Sequence, residues 1–128
     1  MIRLKRAYEP VEASDGRRIL VDRLWPRGLS KRGLAIDEWI KELSPSSELR
    51  RWFQHDPDKW VEFRRRYKRE LRANAQVVDQ LARLASRRRV TLVFGARDEV
   101  HNDAVVLAEV MRARIKRRSV ARRGGAKD

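Results

Sequence analysis

Cysteine is absent from the 128-residue chain, which excludes disulfides, thiolate metal sites and thiol nucleophiles. No apolar run approaches the ~18 residues that a membrane-spanning helix requires. The opening residues, MIRLKR, also lack the apolar core of a signal peptide. These absences are typical of a cytoplasmic protein, and we expect no association with a membrane.

Complete catalytic signatures are missing as well. The sequence contains no Walker A motif, no G-x-G-x-x-G and no G-x-S-x-G. Its two histidines, His55 and His101, do not form a zinc-binding pattern with carboxylates. We therefore expect neither a metal nor a cofactor, and the sequence leaves open whether the protein is an enzyme.

What is present suits one folded domain. Apolar residues make up 41% of the chain and include four tryptophans, which is enough to form a core. Apolar patterns predict strands over residues 2–8, 18–22 and 90–94, with several helices between the second and third strands and one helix after the third. A helical segment of this length allows a parallel crossover. The pattern predicts an α/β fold, a small single domain with a short, mainly parallel sheet flanked by helices.

Two local expectations accompany this fold. The first two strands are close enough in sequence to pair directly, and residues 36–42 fit a short helix. Ser44-Pro45 then resembles a helix start, with Ser44 as the N-cap.

The net charge of +14 is unevenly distributed, because residues 112–128 carry eight basic residues and one acid. We expect an α/β domain over residues 1–114 and a basic, disordered tail over 115–128. Such a tail can bind nucleic acid through counterion release. A solvated tail that keeps the protein soluble explains the same composition equally well.

The sequence RLWPRG follows the second predicted strand, where α/β sheets commonly form ligand sites. Arg23 and Arg27 can each present a planar guanidinium to a phosphate or carboxylate, and Trp25 can stack on a base. In the structural alternative, the arginines pair with Asp22 or Asp37 and Trp25 closes the edge of the domain.

A second loop, GARDEVHN, follows the third predicted strand. If the second and third strands are parallel neighbours, the two loops meet and form a pocket for a phosphate-bearing or nucleotide-like small molecule. Its predicted ligand-binding residues are Arg23, Trp25, Arg27, Arg97, His101 and Asn102. His101 and Asp98 are weak candidates for acid or base catalysis. Alternatively, His101 and Asn102 simply cap the last helix.

Two other functions remain open. Non-specific nucleic-acid binding would use an arginine-rich helix face and the tail, through Arg64, Arg65, Lys68, Arg117, Arg118, Arg122 and Arg123. Glu62 and Glu70 interleave with that face, so a solvated helix surface is the alternative. An adaptor function would instead use the tryptophan-rich helices to dock a protein partner. The oligomeric state is not predicted.

Several of these segments together resemble the domain of unknown function 488 family, in its YeaO-like branch. They include Ser14-Asp15-Gly16, the run from Ile19 to Gly28 (ILVDRLWPRG), Ala96-Arg97-Asp98 and His101-Asn102. The resemblance covers residues 1–114 and implies a small cytoplasmic bacterial α/β domain, without implying a reaction. Gly95 stands where the family pattern suggests serine, which disfavours a hydroxyl nucleophile there. Distant relatives carry a cysteine in this loop, and this chain has none.

Overall fold

The computed structural model describes the backbone of residues 1–125 and the side chains of residues 1–122. Within them, one sheet contains four strands, β1 (Ile2–Arg6), β2 (Arg17–Leu20), β3 (Glu38–Trp39) and β4 (Val90–Phe94). The strand order is β1-β4-β2-β3, and every neighbouring pair is parallel. The predicted α/β class is confirmed.

Five α-helices accompany the sheet. They are α1 (Lys31–Leu34), α2 (Ser47–Phe53), α3 (Trp60–Ala73), α4 (Ala75–Arg87) and α5 (Asp103–Gly125), with 3-10 turns at Ala13–Asp15, Lys41–Leu43 and Pro57–Lys59. Asn74 separates α3 from α4. Among the described residues, no helix is both long and apolar enough to cross a membrane.

All five residues of β4 are buried, because both faces of the sheet are covered. Val90, Leu92 and Phe94 belong to the larger core, which α3, α4 and α5 complete. On the opposite face, Val93 belongs to a smaller cluster with Leu20. Successive β4 side chains point to opposite faces of the sheet, so β4 contributes to the apolar layer on each face.

The first two strands do not pair with each other, in contrast to the expectation from their proximity in sequence. β4 lies between them and hydrogen-bonds to both. The apolar sequence of β4 explains this position, because a central strand has both edges paired and both faces covered.

Residues 36–42 do not form the predicted helix. They contain β3 and the start of a 3-10 turn, because the edge of β2 supplies their backbone partners. The amide of Asp37 donates to the Arg18 carbonyl at 2.8 Å, and that of Ile40 donates to Leu20 at 3.0 Å. Ser44 is likewise not the N-cap of α2. Ser46 takes that position and accepts a hydrogen bond from the Leu49 amide at 3.1 Å.

The C-terminal segment also differs from the disordered tail expected from residue 115. The backbone remains helical as far as Gly125, since arginine, lysine and alanine favour helix even where little apolar surface is buried. The side chain of Arg123 and residues 126–128 lie outside the described residues.

A buried ionic cluster lies on the sheet face opposite α3, α4 and α5. The fully buried carboxylate of Asp15 accepts hydrogen bonds from Lys5 at 2.9 Å and from Arg18 at 2.6 Å. It also accepts the backbone amide of Glu12 at 3.0 Å. Burial opposes ionisation, but these donors outweigh it and hold the pKa of Asp15 below its ordinary value. This cluster connects β1, β2 and the segment between them.

Replacing Asp15 with asparagine should therefore destabilise the protein by about 3–5 kcal/mol, because two buried cations lose their countercharge. The low pKa also predicts that Asp15 stabilises the native protein above the ordinary carboxyl pKa. This contribution is lost as the pH falls through the folded-state pKa. Urea unfolding at pH 7 and pH 3 measures both effects. The control Glu12→Gln changes an exposed partner of Lys5 and should cost far less, because solvent screens that ion pair. Equal effects of both variants would contradict this assignment.

Candidate functional site

A cleft of about 420 Å³ opens beyond the carboxyl ends of β2 and β4. The loops after these strands meet there because β2 and β4 are parallel neighbours. The polar side chains that line the cleft are Tyr8, Asp22, Arg23, Arg27, Arg50, His55, Asn102 and Asp103. Of the six predicted ligand-binding residues, the structure brings Arg23, Trp25, Arg27 and Asn102 to the cleft.

Arg23 is held in place by the protein itself. Its Nε donates to the Pro45 carbonyl at 3.2 Å, and the side chain is half-buried. The adjoining Asp22 carbonyl accepts the Trp39 indole N–H at 2.7 Å. These contacts fix the direction in which the chain leaves β2, so Arg23 has a structural role in addition to lining the cleft.

The side chain of Arg27, unlike that of Arg23, is not held by a hydrogen bond to the described residues. Its backbone carbonyl accepts the Tyr8 hydroxyl at 3.0 Å, while its side chain is exposed at the cleft. Gly28, with φ of 77°, makes the turn that follows. Within the described residues, neither Arg23 nor Arg27 forms the ion pair with Asp22 or Asp37 that the structural alternative required.

Trp25 fits the structural alternative more closely than the stacking hypothesis. Its indole N–H donates to the Leu29 carbonyl at 2.6 Å, and its ring meets Trp39 edge-on at 5.4 Å. It packs against the smaller apolar cluster and closes that side of the domain. A half-buried part of Trp25 still contributes to the cleft.

His101 and Asp98 lie outside the cleft lining and contact each other in the turn that precedes α5. Asp98 accepts the backbone amides of Val100 and His101, each at 2.9 Å, and contacts the His101 ring nitrogen at 2.8 Å. The His101 amide and ring, followed by the Val100 amide, lower the pKa of Asp98 to about 2. Arg97 is exposed and does not line the cleft either. The hydrogen bonds of Asp98 and His101 within this turn explain the presence of the two catalytic candidates by a structural role.

Asn102 has both a capping role and a place in the cleft. Its Nδ2 donates to the Asp98 carbonyl at 2.9 Å, and its Oδ1 accepts the Val105 amide at 3.0 Å. Both ends of the buried amide are thus engaged within the protein, which fixes the start of α5 beside the cleft.

Two carboxyl groups that the loop motifs did not predict as site residues, Asp22 and Asp103, also line the cleft. Asp22 follows β2 and accepts the Gly95 amide at 2.7 Å, and Asp103 is the first residue of α5 and accepts the Ala104 amide at 2.8 Å. The two carboxyl groups lie close enough for each to affect the pKa of the other. Burial raises the pKa of both groups, and the charge of Asp22 raises the pKa of Asp103 further.

The position of Asp22 in the sequence carried a usable signal. A carboxylate directly after a buried strand lies at the same sheet edge as RLWPRG, although it was assigned only as a possible partner for an arginine. Gly95 explains the close approach of the second loop, because a Cβ there would lie 3.2 Å from the Asp22 carboxylate. The pairing with Asp103 depends on where α5 begins, which the sequence did not define.

The cleft wall opposite these loops comes from α2 and α3. Phe53 and Phe63 stack with their ring centroids 4.1 Å apart, and both line the cleft. After α2, Gln54 and His55 both have left-handed backbone conformations, with φ of 47° and 54°. This uncommon pair of residues turns the chain sharply and places His55 at the cleft edge.

Three of the seven residues of the nucleic-acid alternative, Arg64, Arg65 and Lys68, are paired with acids. Arg65 contacts Glu62 at 2.6 Å, and Lys68 contacts Glu109 at 3.0 Å. Arg64 also pairs with Glu109. The helix face is therefore a solvated network of ion pairs, as its alternative reading predicted. Arg117, Arg118 and Arg122 lie along the end of α5.

Among the described residues, no group of three or more histidines and carboxylates is placed to hold a metal ion.

A family model described as "Inactive DUF488-N3 subclade" matches residues 1–126. The chain belongs to the DUF488 family. The uncharacterised protein YeaO of Escherichia coli is 46% identical over 112 residues, which cover 88% of this chain and 97% of YeaO. The uncharacterised protein Rv3073c of Mycobacterium tuberculosis is 39% identical over 113 residues, or 88% of this chain and 95% of its own. No solved structure matches the chain significantly. The expected family membership is confirmed.

The carboxyl pair makes this DUF488 chain less stable at neutral pH than it would otherwise be. Since the pKa of Asp103 is raised in the folded protein, stability falls as the pH rises from the ordinary carboxyl pKa toward the folded-state pKa. Asp103→Asn should thus stabilise the protein by roughly 1 kcal/mol at pH 7.5. The gain should disappear below about pH 4, where the unfolded carboxyl is also protonated. Thermal unfolding at pH 7.5 and at a pH below about 4 tests this prediction. A lower Tm of the variant than of the unaltered protein at pH 7.5 would contradict the raised pKa of Asp103.

Proposed function

We propose that this DUF488 protein binds a phosphate-bearing small molecule in the cleft, without converting it chemically. The proposal rests on one observation. Three arginines, Arg23, Arg27 and Arg50, line the same cleft. Arg27 and Arg50 are exposed there, and no side-chain hydrogen bond or ion pair engages them within the described residues.

The charge of the lining favours an anion. Each guanidinium can donate two parallel hydrogen bonds to phosphate oxygens. Asp22 and Asp103 line the same cleft, and burial opposes the ionisation of both carboxyl groups. The surplus of positive charge lies with the exposed arginines, so the phosphate is expected at the mouth of the cleft.

The size and position of the cleft favour a small molecule over a polymer. A volume of about 420 Å³ lies within the range of small-molecule sites, ~300–1,000 Å³. Its location beyond the carboxyl ends of parallel strands is where open α/β sheets bind ligands.

Binding without reaction is favoured over catalysis for two reasons. The two catalytic candidates, His101 and Asp98, are engaged with each other and lie outside the cleft lining. The matching subclade is also described as inactive. Nucleic-acid association has weaker support, because Arg64, Arg65 and Lys68 are paired with Glu62 and Glu109.

Isothermal titration of the full chain with inorganic phosphate, pyrophosphate, phosphosugars and nucleoside monophosphates tests this proposal. We expect at least one compound to bind, and Arg27→Ala to weaken its binding about tenfold or more. This loss follows from removing a charge-assisted hydrogen bond worth ~1.5–3 kcal/mol.

Arg97→Ala is the matched control, because it removes an exposed arginine from the neighbouring loop without changing the cleft lining. Its Kd should stay within about twofold of that of the unaltered protein, since it removes no hydrogen bond to the ligand. Equal losses in both variants would indicate general electrostatic attraction. Absence of binding by the entire panel, with Arg27→Ala still folded, would overturn the proposal.

A further inference from the structure

We propose that Asp22 and Asp103 select a ligand whose planar ring presents adjacent N–H donors, so that the ligand class is a mononucleotide with a guanine-like base. The base would contact the carboxyl pair, and the phosphate would contact the arginines at the mouth. This inference rests on the proposed function and specifies the ligand of the same cleft.

Asp22 and Asp103 leave some of their hydrogen-bonding capacity free in the inner cleft. One oxygen of Asp22 accepts the Gly95 amide, and one oxygen of Asp103 accepts the Ala104 amide. Carboxyl oxygens have further lone pairs, so the pair can still accept hydrogen bonds from a ligand. The amide of Asn102 is already engaged at both its nitrogen and its oxygen.

The free groups therefore have one polarity. The oxygens of this carboxyl pair are acceptors, so a ligand group placed against them must donate a hydrogen bond. A ring N–H beside an exocyclic amino group meets this requirement with two donors in one plane. A carbonyl or an unprotonated ring nitrogen would face the carboxyl oxygens and be repelled.

The remaining wall of the cleft is apolar. Phe53 and Phe63 contribute stacked aromatic rings, and Pro26 and Pro45 contribute apolar surface. An apolar wall favours a flat heterocycle over a sugar, whose hydroxyl groups would lose their hydrogen bonds to water.

The acidic and basic side chains of the cleft differ in how far they are buried. Asp22 and Asp103 are half-buried, whereas Arg27 and Arg50 are exposed. A ligand that places N–H donors inward and a phosphate outward satisfies both ends at once. A guanine mononucleotide has this polarity, because the N1 and N2 donors of its base lie away from the 5′-phosphate.

A panel of four compounds separates the base from the phosphate. We would titrate the full chain at pH 7.5 with 5′-GMP, 5′-IMP, 5′-AMP and ribose 5-phosphate. IMP lacks the amino group, AMP places an acceptor beside its amino group, and ribose 5-phosphate has no base. GMP should bind about tenfold more tightly than IMP or AMP, because each loses at least one hydrogen bond to a charged acceptor.

Variants of the pair then assign the preference to these residues. Asp103→Asn and Asp22→Asn each retain the shape but replace acceptor capacity with an amide. In either variant the ratio of IMP to GMP dissociation constants should fall to about two or less, while binding of ribose 5-phosphate stays unchanged. Glu99→Gln, which removes an exposed carboxylate of the same loop outside the cleft lining, should preserve the tenfold ratio.

The outcomes distinguish this inference from the proposed function. If all four phosphates bind with similar affinity and Arg27→Ala weakens them all, the base preference is wrong and the phosphate site stands. If AMP binds best, the carboxyl pair acts as a donor and the inference is wrong. If neither the four compounds nor inorganic phosphate binds, both proposals fail.

Discussion

β4 hydrogen-bonds to β1 on one side and to β2 on the other, and the rest of the structure depends on this double pairing. It brings the end of β4 beside the end of β2, so the Gly95 amide reaches the Asp22 carboxylate. It also buries β4 on both faces, which joins the helical core to the smaller apolar cluster. The cleft exists because these strands are parallel and end at the same edge.

Two kinds of buried charge occur on this framework, and they act in opposite directions. Asp15 is surrounded by donors and cations, which lower its pKa and make its charge favourable in the folded state. Asp103 faces another carboxyl, so burial and the neighbouring charge raise its pKa. The first arrangement stabilises the fold, whereas the second reduces stability at the cleft. Paired carboxyls that disfavour each other are more common at functional sites than in cores.

Local patterns in the sequence were sufficient to predict the α/β class, the parallel pairing of β2 with β4 and the convergence of their two loops. They failed where a partner distant in sequence decides the outcome. Residues 36–42 became a strand because β2 offers an edge, and β1 was separated from β2 because β4 needs both neighbours. The same limit explains the site, where Arg23, Arg27 and Asn102 were predicted from loop motifs. The Asp22–Asp103 pair joins residues 81 positions apart, and no local signal specifies such a contact.

The central place of β4 also has a consequence for how the chain folds. β1 and β2 precede β4 by about seventy residues or more and do not pair with each other. β1 therefore has no strand partner until β4 is present, and β2 until then pairs only with the short β3. Contacts between residues so distant in sequence form slowly, because a long loop must close first. During synthesis, the N-terminal strands therefore wait with open edges until most of the chain has emerged. The cleft is completed later still, since Asp103 belongs to the helix that follows.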